Sequence, residues 1–203
     1  MKSHHLFSEN PGIISLQEAE PILEPYLSMV LKCIRTPIEQ WKGVCEREPL
    51  FVMDLDPRAR ANIINSHVVA SVEKRFAKVK GVRLTRDHGF LVLIIGERIV
   101  VRFKKLDEKL RSRNYMTNQQ WKLYYQEDLP GLPPGATVVI AGYRLDPTGM
   151  LLNDVHVVCP VGSQNKWAIP VAEGATIRLP VAATPPRRAV VKAKGVRTRK
   201  SAQ

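Results

Sequence analysis

The first third of the chain carries apolar residues at helical spacing. Ser15 and Glu18, three residues apart, form a capping-box pattern that predicts the start of a helix. Apolar residues then recur at every third or fourth position as far as Ile34. Pro21 and Pro25 are unfavourable inside a helix, so we expect its regular part to begin near one of them.

Two further helix starts follow. The proline after Thr36 predicts a second helix to about Arg47, or a kinked continuation of the first. Asp56, followed by a proline, predicts another helix over residues 57–78, ended by Gly81. The apolar stripe that supports it consists of Ile64, Val68, Val72, Phe76 and Val79.

Short runs of strand-forming residues dominate the rest of the chain. Three of them are separated by turn sequences typical of tight hairpins, and they are residues 82–86, 90–95 and 99–103. The run 90–95 is apolar at every position, which predicts a central strand covered on both faces. A capping pattern at Thr117 then predicts a short helix over 118–127. The later runs 137–143, 150–158 and 166–171 predict a hairpin and an edge strand.

Together these patterns predict an α+β fold, with a helical N-terminal layer packed on a mostly antiparallel sheet. From residue 57 the element order is helix-strand-strand-strand-helix-strand-strand. We expect a flexible leader over 1–14 and a single domain over 15–172, with the helical part in 15–78 and the sheet part in 82–171. Residues 175–203 lack apolar periodicity and predict a disordered basic tail.

Composition narrows the class of protein. The 203 residues are 44% hydrophobic, which is enough for a packed core. Three widely spaced cysteines argue against a disulfide framework and suit a reducing cytoplasm. No apolar run approaches the ~20 residues of a membrane span, and the start lacks a secretory signal. We therefore expect a cytoplasmic protein without a membrane partner.

The net charge of +12 is unevenly distributed. Eight basic residues and no acid follow Ala175, which leaves 23 basic and 19 acidic residues in 1–174. Such a tail predicts sequence-independent, salt-sensitive binding to nucleic acid. A solubilising appendage and a segment that orders on a protein partner are the alternatives. The predicted tail contacts are Arg187, Arg188, Lys192, Lys194, Arg197, Arg199 and Lys200.

A second basic run follows the strand at 99–103. Its cations are Arg102, Lys104, Lys105, Lys109, Arg111 and Arg113. They precede the aromatic residues Trp121, Tyr124 and Tyr125, and such a combination favours contact with phosphates and unstacked bases, or with an acidic protein surface. The alternative is a solvated loop beside a packed helix. We expect at least two of the aromatic residues to pack in the core.

The helix-strand-strand-strand-helix-strand order resembles that of the restriction-endonuclease-like (PD-(D/E)xK) superfamily over residues 57–143. That superfamily places an aspartate on the second strand, and an acid, one spacer and a lysine on the third, to hold Mg²⁺. Here the second strand has no acid, and Arg102 stands two positions before Lys104. A divergent metal-dependent nuclease would need Lys104 together with Glu73, Asp87 or Glu97.

Other catalytic patterns are absent from the sequence. It contains no nucleophile elbow, phosphate-cradling glycine loop or Cys-x-x-Cys pair, and its histidines are scattered. We therefore predict no catalytic residue, metal ligand or cofactor, and favour a protein that is not an enzyme.

Several segments resemble an uncharacterised family of small bacterial proteins: "VRFKKLDEKLRSRN", "MTNQQWKLYYQ", "LPGLPPG", "AGYRLDPTG" and "VCPVGSQNKW". The resemblance spans residues 57–168. It implies a gene neighbour of the helix-turn-helix or zinc-peptidase-like kind, in a pair similar to toxin–antitoxin or mobile-element regulatory modules. The leading hypothesis is a non-enzymatic, nucleic-acid-associated or regulatory binding protein, with a protein partner encoded nearby. The divergent nuclease and a pure protein-interaction module with an acidic partner remain the alternatives.

Overall fold

The computed structural model describes residues 12–87, 90–112, 117–128 and 130–173. The helices of these residues are α1, Leu16–Arg47; α2, Pro49–Asp54; α3, Pro57–Phe76; and α4, Asn118–Tyr124. Their strands are β1, Val82–Asp87; β2, Phe90–Ile95; β3, Ile99–Lys105; β4, Thr137–Leu145; β5, Leu152–Val161; and β6, Gln164–Pro170. The α+β class and the predicted element order are confirmed.

Helix α1 is continuous and longer than the sequence predicts. It begins directly after Ser15, whose hydroxyl accepts a hydrogen bond from the backbone of Glu18 while the Glu18 carboxylate accepts one from Ser15 N at 2.8 Å. The expected start near Pro21 or Pro25 is wrong. No second helix begins at Thr36, and the alternative prediction, a continuation of the first helix to about Arg47, is the one observed. Each internal proline removes one backbone hydrogen bond, and the extensive burial of one face of α1 offsets that loss.

The short helix α2 was not predicted. It buries Val52 and leaves Leu50, Phe51 and Met53 exposed, so its sequence carries no clear amphipathic pattern. Helix α3 follows the prediction closely. Asp56 caps it by accepting a hydrogen bond from Ala59 N at 2.7 Å. Four members of the predicted stripe are buried: Ile64, Val68, Val72 and Phe76.

The strands of the described residues form a six-stranded sheet in the order β1-β2-β3-β4-β5-β6. Neighbouring strands are antiparallel except β3 and β4, which run parallel. A parallel pair needs a crossover connection, and α4 lies within this one. The edges of the sheet are β1 and β6, the second as predicted from Pro170.

Alternating residues of each strand face two different layers. We call the side packed against α1 and α3 the helix face; its strand residues include Leu93, Val101, Val139 and Val157. We call the opposite side the second face. It is covered by α4 and by the loop that follows β3, and it carries two smaller apolar clusters. Arg102 and Lys104, near the end of β3, belong to this second face, whereas Lys105 alternates with them along the strand.

The packed part of the chain begins earlier than the predicted boundary at Ser15. Ile14 is buried, its N–H donates to Thr137 Oγ1 at 3.0 Å, and its carbonyl accepts from Trp167 Nε1 at 3.1 Å. The last residues of the predicted leader therefore attach to β4 and β6. The rest of the leader, residues 1–11, and the predicted tail lie outside the described residues.

The three cysteines lie in the core. Cys33, Cys45 and Cys159 are buried free thiols. Burial raises the pKa of the Cys33 thiol to about 11 and that of Cys159 to about 12. Both thiols therefore stay protonated at neutral pH and pack as small apolar groups.

Candidate functional site

Arg102 is buried in the second face and is not an accessible phosphate contact. Its side chain is 5% exposed, and Nη1 donates a hydrogen bond to Gln120 Oε1 of α4 at 3.0 Å. Its guanidinium carbon lies 5.2 Å from the centre of the Phe90 ring. The predicted surface role of Arg102 is therefore corrected: it ties α4 to the sheet.

Lys104 follows Arg102 on the same face of β3. Its ammonium also lies 5.2 Å from the centre of the Phe90 ring. Burial, and then the nearby charge of Arg102, lowers the pKa of Lys104 to about 8. No described carboxylate forms a salt bridge with it, so at neutral pH it is a half-buried cation beside another cation.

The loop over residues 106–112, which we call the basic loop, is fixed to the second face by hydrogen bonds and by apolar contact. Leu106 N donates to Tyr143 O at 2.9 Å, and the Leu106 side chain covers Gly142. A Cβ atom at Gly142 would stand 2.3 Å from Leu106 Cγ, so the glycine makes this close approach possible. Asn165 of β6 donates to Leu110 O at 2.8 Å and holds the far side of the loop.

Asp107 organises the basic loop from within. Its Oδ1 accepts hydrogen bonds from Lys109 N and Arg111 N, each at 2.9 Å, and its Oδ2 lies 3.4 Å from the Arg111 guanidinium. Burial raises the pKa of Asp107, but these hydrogen bonds and the charge of Arg111 outweigh it and leave the pKa below its ordinary value. Arg111 is thereby partnered inside the loop.

Lys105 and Lys109 are the accessible cations of this region. Both are exposed, and neither forms a salt bridge with a carboxylate in the part of the chain that the structure describes. Arg113 and the tail residues Arg187, Arg188, Lys192, Lys194, Arg197, Arg199 and Lys200 lie outside the described residues. Of the predicted body contacts, two exposed lysines thus remain among the described residues: Lys105 at the end of β3 and Lys109 in the basic loop.

The aromatic residues of α4 do not pack as predicted. Trp121 is 48% exposed and Tyr125 is 41% exposed, with ring centres 4.3 Å apart and an interplanar angle of 31°. Tyr124 is half-buried, and its hydroxyl donates to Ser112 O at 2.6 Å. Leu123 instead supplies the apolar contact of α4 with the sheet. The four-residue spacing of Trp121 and Tyr125, which puts them on one side of the helix, was the signal that the sequence offered.

An open groove of about 420 Å³ lies beside these two rings. Its walls come from the basic loop, the end of α4 and the β5–β6 turn, and Ile140 also lines it. The turn is held to α4 because Gly162 N donates to Tyr124 O at 2.8 Å. Apolar and polar surfaces therefore meet in one concave site on the second face, which we call the aromatic groove.

Sequence reasoning also missed a polar cluster on β4 and β5. The Arg144 guanidinium pairs with the Asp154 carboxylate, with Nε 2.8 Å from Oδ1. His156 Nδ1 lies 3.2 Å from the same carboxylate oxygen. Burial lowers the pKa of His156 despite the opposing effect of Asp154. The strand register, which places Arg144 opposite Asp154, could be known only after the strands were paired.

The two described acids of the hypothetical nuclease site, Glu73 and Glu97, do not gather around Lys104. Glu73 lies on α3, toward the helix face, and its carboxylate is 2.6 Å from Arg86 Nη2. Glu97 lies in the turn before β3, at the opposite end of that strand from Lys104, and is 2.9 Å from Arg83 Nη2. The side chain of Asp87 lies outside the described residues. Among the residues described, no group of three or more His, Cys, Asp or Glu side chains is placed to hold a metal ion.

The described helices include none with the length and apolar character needed to cross a membrane. Comparison of the chain with protein-family models, with curated proteins and with solved structures finds no match.

Proposed function

We propose that the protein is a non-enzymatic nucleic-acid-associated or regulatory binding protein, and that its body binds through the second face. The observation that carries the proposal is the basic loop. It is fixed to the sheet by Leu106 and organised internally by Asp107, and it presents the exposed Lys109; Lys105, the last residue of β3, is exposed directly before it, and neither lysine has a described carboxylate partner. Exposed cations held on a fixed loop can contact phosphates with little loss of conformational entropy.

The sequence supports a second contact through the basic tail. The eight basic residues that follow Ala175 attract a polyanion without sequence preference, by release of its counterions. In this proposal the tail supplies most of the salt-dependent affinity, and the basic loop fixes which face of the body lies against the nucleic acid.

A salt titration of binding to random duplex and single-stranded DNA tests the proposal. We expect the logarithm of the binding constant to fall with the logarithm of salt concentration, and the slope to shrink on deletion of residues 175–203. Lys105→Ala and Lys109→Ala are each expected to reduce the slope by about 1 or less. Lys32→Ala, on α1, is the matched control and should leave the slope unchanged.

Two results would contradict this function. One is the absence of salt-sensitive binding to any polynucleotide. The other is binding that occurs only to an acidic protein, which would favour a pure protein-interaction module. The proposed place in a two-protein, antitoxin-like bacterial module rests on the sequence resemblance alone. Affinity purification of the intact chain from its native host, followed by identification of a co-purifying product of the adjacent gene, tests that part separately.

A further inference from the structure

We infer that the aromatic groove is a stacking site for an unpaired nucleobase, so that the body prefers single-stranded to duplex nucleic acid. The inference rests on the proposed function and deepens it. The phosphate contacts described above do not distinguish the two forms, whereas a site that receives a base does. Three features of the groove carry the inference: its exposed ring, its polar rim and its position beside the basic loop.

The exposed ring is that of Trp121. Tyr125 lies between Trp121 and the β5–β6 turn: its ring is 4.3 Å from that of Trp121, and a Cβ atom at Gly162 would be 3.4 Å from Tyr125 Cε1. The Tyr125 ring is therefore supported from the turn, and it in turn supports Trp121. An indole held in this way offers a π-surface with little rotamer entropy left to lose. Nearly half of the Trp121 side chain is open to solvent.

The rim of the groove provides a group able to read the edge of a base. Gln164, at the start of β6, lines the groove, and its side-chain amide has no partner in the part of the chain that the structure describes. A glutamine offers both donors and an acceptor, as base edges do. The neighbouring Asn165 is already used to hold Leu110. The volume of about 420 Å³ is within the range of about 300–1,000 Å³ of small-molecule sites.

The position of the groove links it to phosphate binding. Arg111 and Asp107 of the basic loop form one wall, and the exposed Lys109 lies between them in sequence. A strand whose phosphates contact the loop can therefore place a base in the groove. In a duplex the bases are paired and stacked inside, so they reach Trp121 only if they are splayed out. Single strands need no such step, and aromatic stacking accepts any base.

Tryptophan fluorescence provides a direct readout in the intact chain. Trp41 and Trp167 are each 3% exposed, whereas Trp121 is 48% exposed. A base that stacks on Trp121 should quench its emission and protect it from a soluble quencher, with little effect on the two buried indoles. The probes are a single-stranded DNA 20-mer, the RNA of the same sequence and the matching duplex, each compared at the same salt concentration.

The substitution that tests the site is Trp121→Ala. Because stacking is not ionic, we expect a loss of single-strand affinity of about 5- to 150-fold with no change in the salt slope. Affinity for duplex should be unchanged. Phe51→Ala removes an exposed aromatic residue from α2 and is the matched control, with no expected loss. Quenching in the unaltered protein tests the site even if the Trp121 variant folds poorly.

The outcomes separate this inference from the function on which it rests. Equal affinity for single strand and duplex, with unchanged fluorescence and an unaffected Trp121→Ala variant, overturns the stacking site and leaves phosphate binding in place. Failure to bind any of the three probes overturns the proposed function, and the stacking site with it. Quenching by single strands in the unaltered protein, together with a loss of single-strand affinity in Trp121→Ala, supports both. Comparison of the DNA and RNA 20-mers then identifies the preferred polymer.

Discussion

The helix face and the second face of the sheet use the same strands but bury different kinds of side chain. On the helix face, one continuous apolar cluster joins α1 and α3 to residues of β2–β6. On the second face, apolar contact is divided into two small clusters, and charged or polar residues such as Arg102, Lys104 and His156 stand between or beside them.

This difference suggests that the two faces of the sheet have different roles, one in folding stability and the other in binding. Burial of apolar surface is the main source of folding free energy, so the helix face should dominate the stability of the fold. Half-buried charge contributes little to stability, because each charge loses hydration when it is buried. Packing alone does not account for the charged and polar side chains of the second face. We therefore expect a binding function on that side of the sheet.

The largest expected effect tests this division directly. Phe76 lies 1% exposed on the helix face, with the Tyr26 ring 6.4 Å away. Phe76→Ala should lower the free energy of unfolding by about 3–5 kcal/mol. Leu123→Ala, in the smaller cluster of the second face, should lower it by about 2 kcal/mol. Urea denaturation followed by circular dichroism measures both. A larger loss for Leu123→Ala would reverse the proposed order of the two faces.

A smaller effect is expected at the buried contact between α4 and β3. Gln120→Leu removes one hydrogen-bond acceptor of the buried Arg102 guanidinium. We expect the free energy of unfolding to fall by about 1.5–3 kcal/mol, the range for a hydrogen bond to a charged group. The exposed Gln164→Leu variant is the control for loss of a glutamine amide. Equal stability of Gln120→Leu and the parent chain would remove Arg102 from its assigned role as a tie between α4 and the sheet.

The approach of the basic loop to β4 can be tested through Gly142. Gly142→Ala forces a Cβ atom into Leu106, and we expect a loss of about 1–3 kcal/mol in the free energy of unfolding. The double variant Gly142→Ala with Leu106→Ala should lose less than the two single losses added together, because the clash is gone. Additive losses in this double-mutant cycle would show that the loop does not rest on Gly142.

The sequence was sufficient for those parts of the fold in which one face of an element is buried. The stripe of α3 and the all-apolar run of β2 predicted both elements within two residues of their observed ends. Helix α1 differed because tertiary burial outweighs the local preference of its prolines. Helix α2 was missed because it is short and buries one residue, so it has almost no periodic signal.

The candidate site was less predictable, because the role of each of its residues depends on which side chains meet across the sheet. The sequence identified the basic run but gave Arg102, Lys105 and Lys109 the same role, although burial separates the first from the other two. It assigned at least two of Trp121, Tyr124 and Tyr125 to the core, whereas Trp121 and Tyr125 are exposed. Which side of α4 faces the sheet is decided by Leu123 and Gln120, and that follows from three-dimensional packing.

The smallest expected effect on the free energy of unfolding concerns Lys104. Replacement of this residue should raise that free energy, whereas the substitutions above lower it. Burial and Arg102 lower the pKa of Lys104 from 10.5 to about 8, so folding disfavours its charged form. Below pH 8 Lys104 is charged in both the folded and the unfolded chain, so the full destabilisation is present. As the pH rises from 8 to 10.5 the unfolded chain binds more protons than the folded chain, and the free energy of unfolding rises. Lys104→Met should therefore stabilise the protein at pH 7, by about 1 kcal/mol because a half-buried amine keeps part of its hydration.

The pH dependence of this gain makes the test specific. The difference in the free energy of unfolding between Lys104→Met and the parent chain should be largest at pH 7 and should shrink toward pH 10, because the remaining groups titrate alike in both. Lys105→Met, at the exposed position next to Lys104, is the matched control for the removal of a lysine charge. A gap that stays constant with pH, or a Lys104→Met variant less stable than its parent, would contradict the assigned burial. If the second face binds phosphates, Lys104→Met should also lose affinity for polynucleotides and reduce the salt slope by about 1 or less. The same cation would then lower the stability of the fold and contribute to binding.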